Sequence, residues 1–276
     1  MSNILVRTLS GAVFISLILF PLFYSNPIIA SCVLSLFAVL GIVEYNQLFK
    51  SSETIELNWK LNVFLSLLIF GFVAAGLHGL FSYYFAPLTV ILFPILFIWA
   101  LVELWRKKKH PIQNIALSFF GLIYVCVPFL LAININVEDH HSFPKLAGMF
   151  ILIWTNDTFA YLSGRFFGRT KLFERISPKK TWEGTIGGIL FSFGMAIALS
   201  LLFDAENLYF WLITTAIITP CAIFGDLLES LFKRSLNIKD SGTIMPGHGG
   251  ILDRFDAALF ALPFFFMWLI IYTYFC

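Results

Sequence analysis

Long apolar runs constrain this chain more than any other feature. They lie near residues 8–24, 27–48, 61–81, 83–105, 112–133, 145–164, 184–203, 208–232 and 251–275. Each approaches or exceeds the ~20 residues that a helix needs to cross a bilayer. None shows the dyad alternation of a membrane barrel strand. Lipid offers no partner to a bare backbone polar group, so closed helices are what remains. Composition agrees: 59% of the 276 residues are hydrophobic and 12% are charged. The charged share is about half that of a soluble domain, and a soluble globule could not cover so much apolar surface. Disorder, collagen and a disulfide scaffold are excluded by the same figures. The expectation is an all-α polytopic membrane protein of about nine spans. It forms one membrane-embedded domain, 1–276, with a helical scaffold over 1–144 and a chemistry-bearing half over 145–276.

The charges orient these spans. With the N-terminus inside, every Lys and Arg of the 18 except Lys145 falls on the inner side, counting Arg254 at the inner start of the last run. The inner segments are 49–60, 106–111, 165–183 and 233–250, while the outer ones carry Lys145 and the acidic Glu138, Asp139, Asp204 and Glu206. The positive-inside rule therefore predicts a cytoplasmic N-terminus and an outer C-terminus. Pro21 and Pro27 interrupt the first run and more spans follow at once, so it reads as a retained helix rather than a cleaved signal. Cys32, Cys126, Cys221 and Cys276 lack metal-ligand spacing and read as small hydrophobes.

Polar residues divide the chain unevenly. In 1–144 the in-span acids are Glu44 and Glu103, each within reach of a nearby base, Lys50 or Lys107; His78, His110, His140 and His141 lie at edges or in loops and read as surface residues. In 145–276, Asp157 lies in the sixth run, Asp226 and Glu229 in the eighth, and Asp253, Arg254 and Asp256 open the ninth. Ionisable groups inside spans are costly and mark function by default. Asp157 precedes Arg165 by eight residues and Asp226 precedes Lys233 by seven, which puts both about 10–12 Å below the basic inner loops. A transporter more often holds such groups near the midplane. This pattern predicts a site recessed into the inner leaflet and open to the cytosol.

Three constellations carry the chemistry. In the first, Asp157, Tyr161, Gly164 and Gly168 follow 4-3-4 spacing along one helical face. They read as a carboxylate and phenol facing a ligand, or, for the glycines, as a packing seam. The second, Ser177-Pro178-Lys179-Lys180-Thr181-Trp182-Glu183-Gly184, begins with a helix-start signal. It is a capped helix with lysines drawn to anionic lipid, or a phosphate site at a helix N-terminus. The third runs from Gly225-Asp226 through Glu229, Ser230, Lys233 and Arg234 to Lys239-Asp240. It continues through Gly242, Pro246-Gly247-His248-Gly249-Gly250 and Asp253-Arg254-Phe255-Asp256. Asp226, Glu229 and Lys233 share one helical face, and Asp253 and Asp256 another. Hard oxygen donors around a Gly-rich basic loop suit Mg²⁺ held together with substrate phosphates. Mutual ion pairing of these groups is the plainer alternative. On residues alone, the chain handles a polyphosphate and an anionic or lipid partner by phosphoryl or nucleotidyl transfer.

The run from Ser230 to Asp256 resembles the signature of the phosphatidate cytidylyltransferases, or CDP-diacylglycerol synthases. The pattern S-x-x-K-R-x-x-x-x-K-D-x-G-x-x-x-P-G-H-G-G-x-x-D-R-x-D is met without departure. Residues 157–168 and 177–184 also resemble family elements; the first half does so only in hydropathy and length. The resemblance implies a homodimeric, Mg²⁺-dependent enzyme of the bacterial inner (plasma) membrane. It would convert CTP and phosphatidate into CDP-diacylglycerol and pyrophosphate, with membrane lipid as its surroundings and no nucleic-acid partner. Asp226, Asp253 and Asp256 are then the metal ligands. Lys233, Arg234, Lys239, Asp240, His248 and Arg254 join them as catalytic residues. Asp157, Tyr161, Ser177, Lys180, Thr181, Glu183, Glu229, Ser230, Gly247, Gly249 and Gly250 are the expected substrate contacts. The alternatives are another CTP-dependent lipid-phosphate cytidylyltransferase, a polyprenol kinase, or a transporter.

Overall fold

A computed structural model describes residues 3–50, 52, 54–79, 92–139, 143–203, 206–238, 241, 242, 244 and 249–275. Nine continuous helical segments occur among them. They are α1 (Asn3–Leu22), α2 (Pro27–Leu48), α3 (Trp59–Leu77), α4 (Leu92–Arg106), a long segment over Pro111–Glu138, α7 (Lys145–Phe167), α8 (Trp182–Leu202), α9 (Leu208–Ser235) and α10 (Leu252–Phe275). The long segment is α5 (Pro111–Gly121), a π-turn (Leu122–Cys126) and α6 (Val127–Glu138) in succession. Six segments are long and apolar enough to cross a membrane: α2, α3, the long segment, α8, α9 and α10. Large apolar side chains such as Leu190, Leu201 and Phe275 stand exposed on these helices. Water would penalise that surface and lipid tails would not. The chain is an α-helical integral membrane protein.

The one β-sheet among the described residues is a two-stranded antiparallel hairpin, β1 (Lys171–Phe173) with β2 (Ser177–Thr181). This corrects the helix start expected at Ser177-Pro178. Those residues are extended, and the helix begins at Trp182 with Thr181 as its N-cap, whose hydroxyl accepts from Gly184 N at 3.2 Å. The Glu183 carboxylate accepts the backbone N–H groups of Arg169 and Thr170, each at 3.1 Å, and so braces the entry to β1.

Two compact units are distinguishable. The first comprises 1–137 and 240–254. Its interior is tied by polar side chains. Asn62 of α3 donates to Asn46 of α2 at 2.7 Å and to Ser118 of α5 at 3.3 Å, and accepts from the Trp99 indole of α4 at 2.6 Å. Glu103 is buried between Arg106 at 2.6 Å and Asn114 at 2.8 Å, rather than paired with Lys107. His78 bonds Ser31 Oγ at 3.0 Å, so it is not the partnerless surface residue expected. The Tyr45 ring packs where a Gly121 side chain would stand, and its hydroxyl donates to Leu117 O at 2.8 Å, just before the π-turn. A side chain inserted at the helical ladder is a recognised cause of such a widening.

The second unit comprises 138–239 and 255–276. Here α7, α8 and α9 pack together, with contacts set by small residues. A Cβ on Gly184 would lie 2.7 Å from Ala160 O and 3.0 Å from Gly164 Cα, and one on Gly188 2.7 Å from Asn156 O. Glycine is therefore what lets α7 and α8 touch along their backbones. A Cβ on Gly225 would lie 2.5 Å from Asp256 O and 3.1 Å from Ala257 Cα, so α9 and α10 meet as closely beside Asp226 and Asp256. At the opposite end of α9, Lys145 and Glu206 pair at 2.8 Å and Tyr272 donates to Glu206 at 2.9 Å.

Candidate active site

In the second unit a cavity of about 290 Å³ is lined by the face of α7, the end of β2, the start of α8 and Ile223 of α9. This is close to the ~300 Å³ lower bound of ligand pockets. Asn156, Asp157, Tyr161 and Arg165 enter from α7, and Lys179, Lys180 and Thr181 from β2. The 4-3-4 face expected from sequence thus contributes Asp157, Tyr161 and Gly164 to one cavity wall. Gly164 also packs against α8, and a Cβ on Gly168 would lie 2.8 Å from Thr181 Oγ1. The same face lines the cavity and packs against its neighbours.

Lys180 reaches from the cavity to Asp226, with Nζ 2.5 Å from Oδ2. The other oxygen of Asp226 accepts from Ser230 at 3.3 Å, one turn along α9. Glu229, buried, pairs with Lys233 at 2.7 Å. The carboxylates of Asp226, Glu229 and Asp157 all act electrostatically on Asp256. Four acids and two lysines therefore lie in one region of the second unit, with Glu229 buried and Asp157 exposed. Arg234 is exposed and donates to Ile176 O at 3.4 Å, which ties the end of α9 to the hairpin turn. Ser177 sits half-buried at the hairpin, paired with Phe173. Thr181 and Glu183 serve as cap and brace, as described above.

The glycine-rich loop belongs to the first unit. Asp253 Oδ2 accepts from Gly250 N at 2.8 Å and Ser241 N at 3.0 Å, closing the loop onto the first turn of α10. Gly249 has φ +85° and faces Asp253, where a Cβ would lie 2.5 Å from Oδ2. A side chain there would meet both backbone strain and a carboxylate. Arg254 is exposed, with its N–H bonded to Ile251 O at 3.0 Å. Lys239, Asp240, Gly247 and His248 lie outside the described residues.

The sequence reading of the site did not include Arg165 and Lys179, which line the cavity, nor Asn156, Ser241 and Glu44. Asn156 carries a buried carbonyl oxygen without a hydrogen-bond partner beside Asp157. A buried amide in an apolar run obeys the same logic that singled out Asp157, and was available as a signal. Ser241 lies within the signature but at a variable position. Glu44 was visible as an in-span acid yet offered a local partner.

The donor set bears on a metal. Among the described residues, no three His, Cys, Asp or Glu side chains converge as a preformed cage. Mg²⁺ typically uses one or two carboxylates and completes its shell with water and substrate phosphates. Asp226, half-exposed beside the cavity lysine, and Asp256 on the facing helix are two carboxylates of the kind that shared mode of binding uses.

Comparison with known proteins matches residues 5–272 to a family model described as the cytidylyltransferase family. A phosphatidate cytidylyltransferase of Haemophilus influenzae is 31% identical, over 94% of this chain and 96% of that protein. One of Rickettsia felis is 36% identical over 75% of this chain and 92% of its own length. One of Staphylococcus saprophyticus is 39% identical over 57% of this chain and 60% of its own.

Proposed function

The chain belongs to the cytidylyltransferase family, and on that premise we propose that it is a phosphatidate cytidylyltransferase. The substrates are CTP and phosphatidate; the products are CDP-diacylglycerol and pyrophosphate. The observation that carries this reading is the relation to the Haemophilus influenzae enzyme over nearly the whole of both chains. The cavity supports it, since it joins cationic side chains to a carboxylate cluster inside an apolar helix bundle.

A phosphate oxygen of the lipid attacks the α-phosphorus of CTP, and the bond from that phosphorus to the β-bridging oxygen breaks. The lipid phosphate is already anionic at neutral pH, its second pKa being about 6, so no strong base is required. The difficulty is to bring two polyanions together, and positioning with electrostatics supplies most of the catalysis. Lys180 and Lys233, each paired with a carboxylate of α9, are the proposed partners of phosphate oxygens. Arg165, Lys179 and the exposed Arg234 enrich the approach in positive charge. Asp226 and Asp256 would hold Mg²⁺, and Asp253 keeps the same assignment from its place in the signature. When bound, the ion offsets charge on the triphosphate and on the leaving pyrophosphate. Asp157 and Tyr161 orient substrate from the cavity wall. Lys239, Asp240, Gly247 and His248 retain their signature roles in the phosphate-binding loop.

The charge asymmetry supports nine spans, with the N-terminus in the cytoplasm and the C-terminus outside, in a bacterial inner membrane. A homodimer is proposed on the family resemblance. A reporter placed after Cys276 should then behave as external, and one near Arg106 as cytoplasmic. The decisive assay uses labelled CTP. With purified protein and phosphatidate, α-label should enter lipid and γ-label should appear in pyrophosphate. Label from γ in the lipid would identify a kinase instead.

A further inference from the structure

Glu44 lies in α2, far in sequence from every motif above, and its side chain is wholly buried in the first unit. A carboxylate inside an apolar span is costly unless its oxygens are engaged. Oε2 accepts from Leu252 N at 2.9 Å and from Ser241 Oγ at 3.5 Å, Oε1 is buried with no hydrogen-bond partner among the described residues, and Lys50, the local partner suggested by sequence, is not among the bonds. Leu252 is the first residue of α10, and its N–H is one of the amides that a helix start leaves without an internal partner. A carboxylate is also favoured there by the helix dipole. Glu44 therefore acts as a cap supplied from 208 residues away.

The loop is shaped to receive it. A Cβ on Gly242 would lie 2.8 Å from Glu44 Cδ and 3.2 Å from Cγ, and one on Gly250 2.8 Å from Cδ. Two signature glycines thus stand where the loop closes over the carboxylate. Ser241 then passes the connection on, since its hydroxyl accepts from Asp253 N at 3.3 Å and its N–H donates to Asp253 Oδ2.

We propose that Glu44 is a positioning residue for the reaction: the buried carboxylate that holds the signature loop and the first turn of α10, and through Ser241 sets Asp253. It reaches no substrate atom itself. The role in turnover rests on the cytidylyltransferase reading, whereas the anchoring does not.

The test combines hydrogen exchange on the full chain in detergent with steady-state kinetics using CTP and phosphatidate. Glu44→Ala should speed exchange in peptides covering 241–254 by about tenfold or more, with α7 and α8 unchanged. Its kcat should fall at least ~10-fold, while the KM for CTP stays within about threefold. Glu44→Gln keeps an acceptor at the same place and should hold kcat within about threefold of wild type. Gly242→Ala should lower kcat by ~10-fold alone but add less than about twofold to Glu44→Ala, because the two act on one contact.

Unchanged exchange at 241–254 would overturn the anchor. Faster exchange with unchanged kcat, or fully additive losses in the double variant, would overturn the positioning role. Should Glu44→Ala fail to fold, Gly242→Ala decides: it must loosen the loop and slow turnover, or the proposal falls. A wild-type protein that makes no CDP-lipid would refute the functional reading, and the exchange experiment would still judge the anchor.

Discussion

The two units treat polar groups inside apolar helices in opposite ways. In the first, the Asn46–Asn62–Ser118–Trp99 cluster and the Glu103–Arg106–Asn114 cluster place donor against acceptor, and Glu103 meets a full counter-charge. In the second, four acids, Asp157, Asp226, Glu229 and Asp256, share their surroundings with two directly paired lysines beside an open cavity. The first arrangement fastens helices together and asks for nothing further. The second sets its ion pairs at a cavity wall, where a polyanionic substrate and its cation can exchange partners with them. A polar residue in a span is therefore informative only together with its partners.

The largest effect should come from breaking the second arrangement. Asp226→Asn and Asp256→Asn should each lower kcat by at least ~10²–10³-fold, the scale of removing a preorganised electrostatic group. Folding, followed by the monodisperse detergent peak and thermal midpoint, should be retained, because asparagine keeps the size and one acceptor oxygen of each side chain. Near-wild-type turnover in either variant would remove that residue from the metal site.

Lys180→Ala comes next. It deletes the cation at Asp226 and a wall of the cavity, and should cost about 10–100-fold in kcat/KM, in the range of a charged hydrogen-bonding group. A matching loss in Lys108→Ala would mean that both lysines merely attract anionic lipid.

Asn62→Ala probes the first arrangement, and the comparison predicts a different signature. The substitution strands Asn46, Trp99 and Ser118, so stability should fall by about 1–3 kcal/mol. The kcat of the molecules that remain folded should not change. A specific loss of turnover at unchanged thermal midpoint would show that the network serves the site and not the scaffold.

Much of this was legible in the sequence. The run at 27–48 is α2, and the run at 208–232 is most of α9, because a lipid-facing helix must be apolar along its whole length. Asp226 and Asp256 stood out because charge is rare in such runs, whereas Lys180 was singled out by the Ser177–Gly184 motif in a basic segment between runs. The hairpin was not legible. Ser177 and Thr181 are both acceptable N-caps, and only the contact of Thr181 with Gly184 N decides between them. Glu44 was misjudged for a related reason. Lys50 lies a turn and a half away, whereas the groups that Glu44 engages follow it by 197 and 208 residues. Local spacing cannot report a partner that tertiary structure brings in.

The smallest effect is expected at the basic loop between α4 and α5 of the first unit, where charge is paired but exposed. Lys108 donates to Glu56 at 2.5 Å, and this bond, with further help from Arg106 and Lys109, holds the Glu56 carboxyl below its usual range. A depressed carboxyl stabilises the fold above its unfolded pKa, and that contribution is lost as pH falls through the folded value. The sign therefore predicts a wild type slightly favoured over Glu56→Gln at pH 7 and indistinguishable from it at strongly acidic pH. Both side chains are open to solvent, where screening and side-chain entropy offset most of the attraction. Thermal midpoints of the two proteins at pH 7 should differ by less than about 2 °C, as expected of an exposed pair in a chain of this size. A larger gap that persists at high salt would mean that Glu56 belongs with the buried Glu103 network and not with the basic surface.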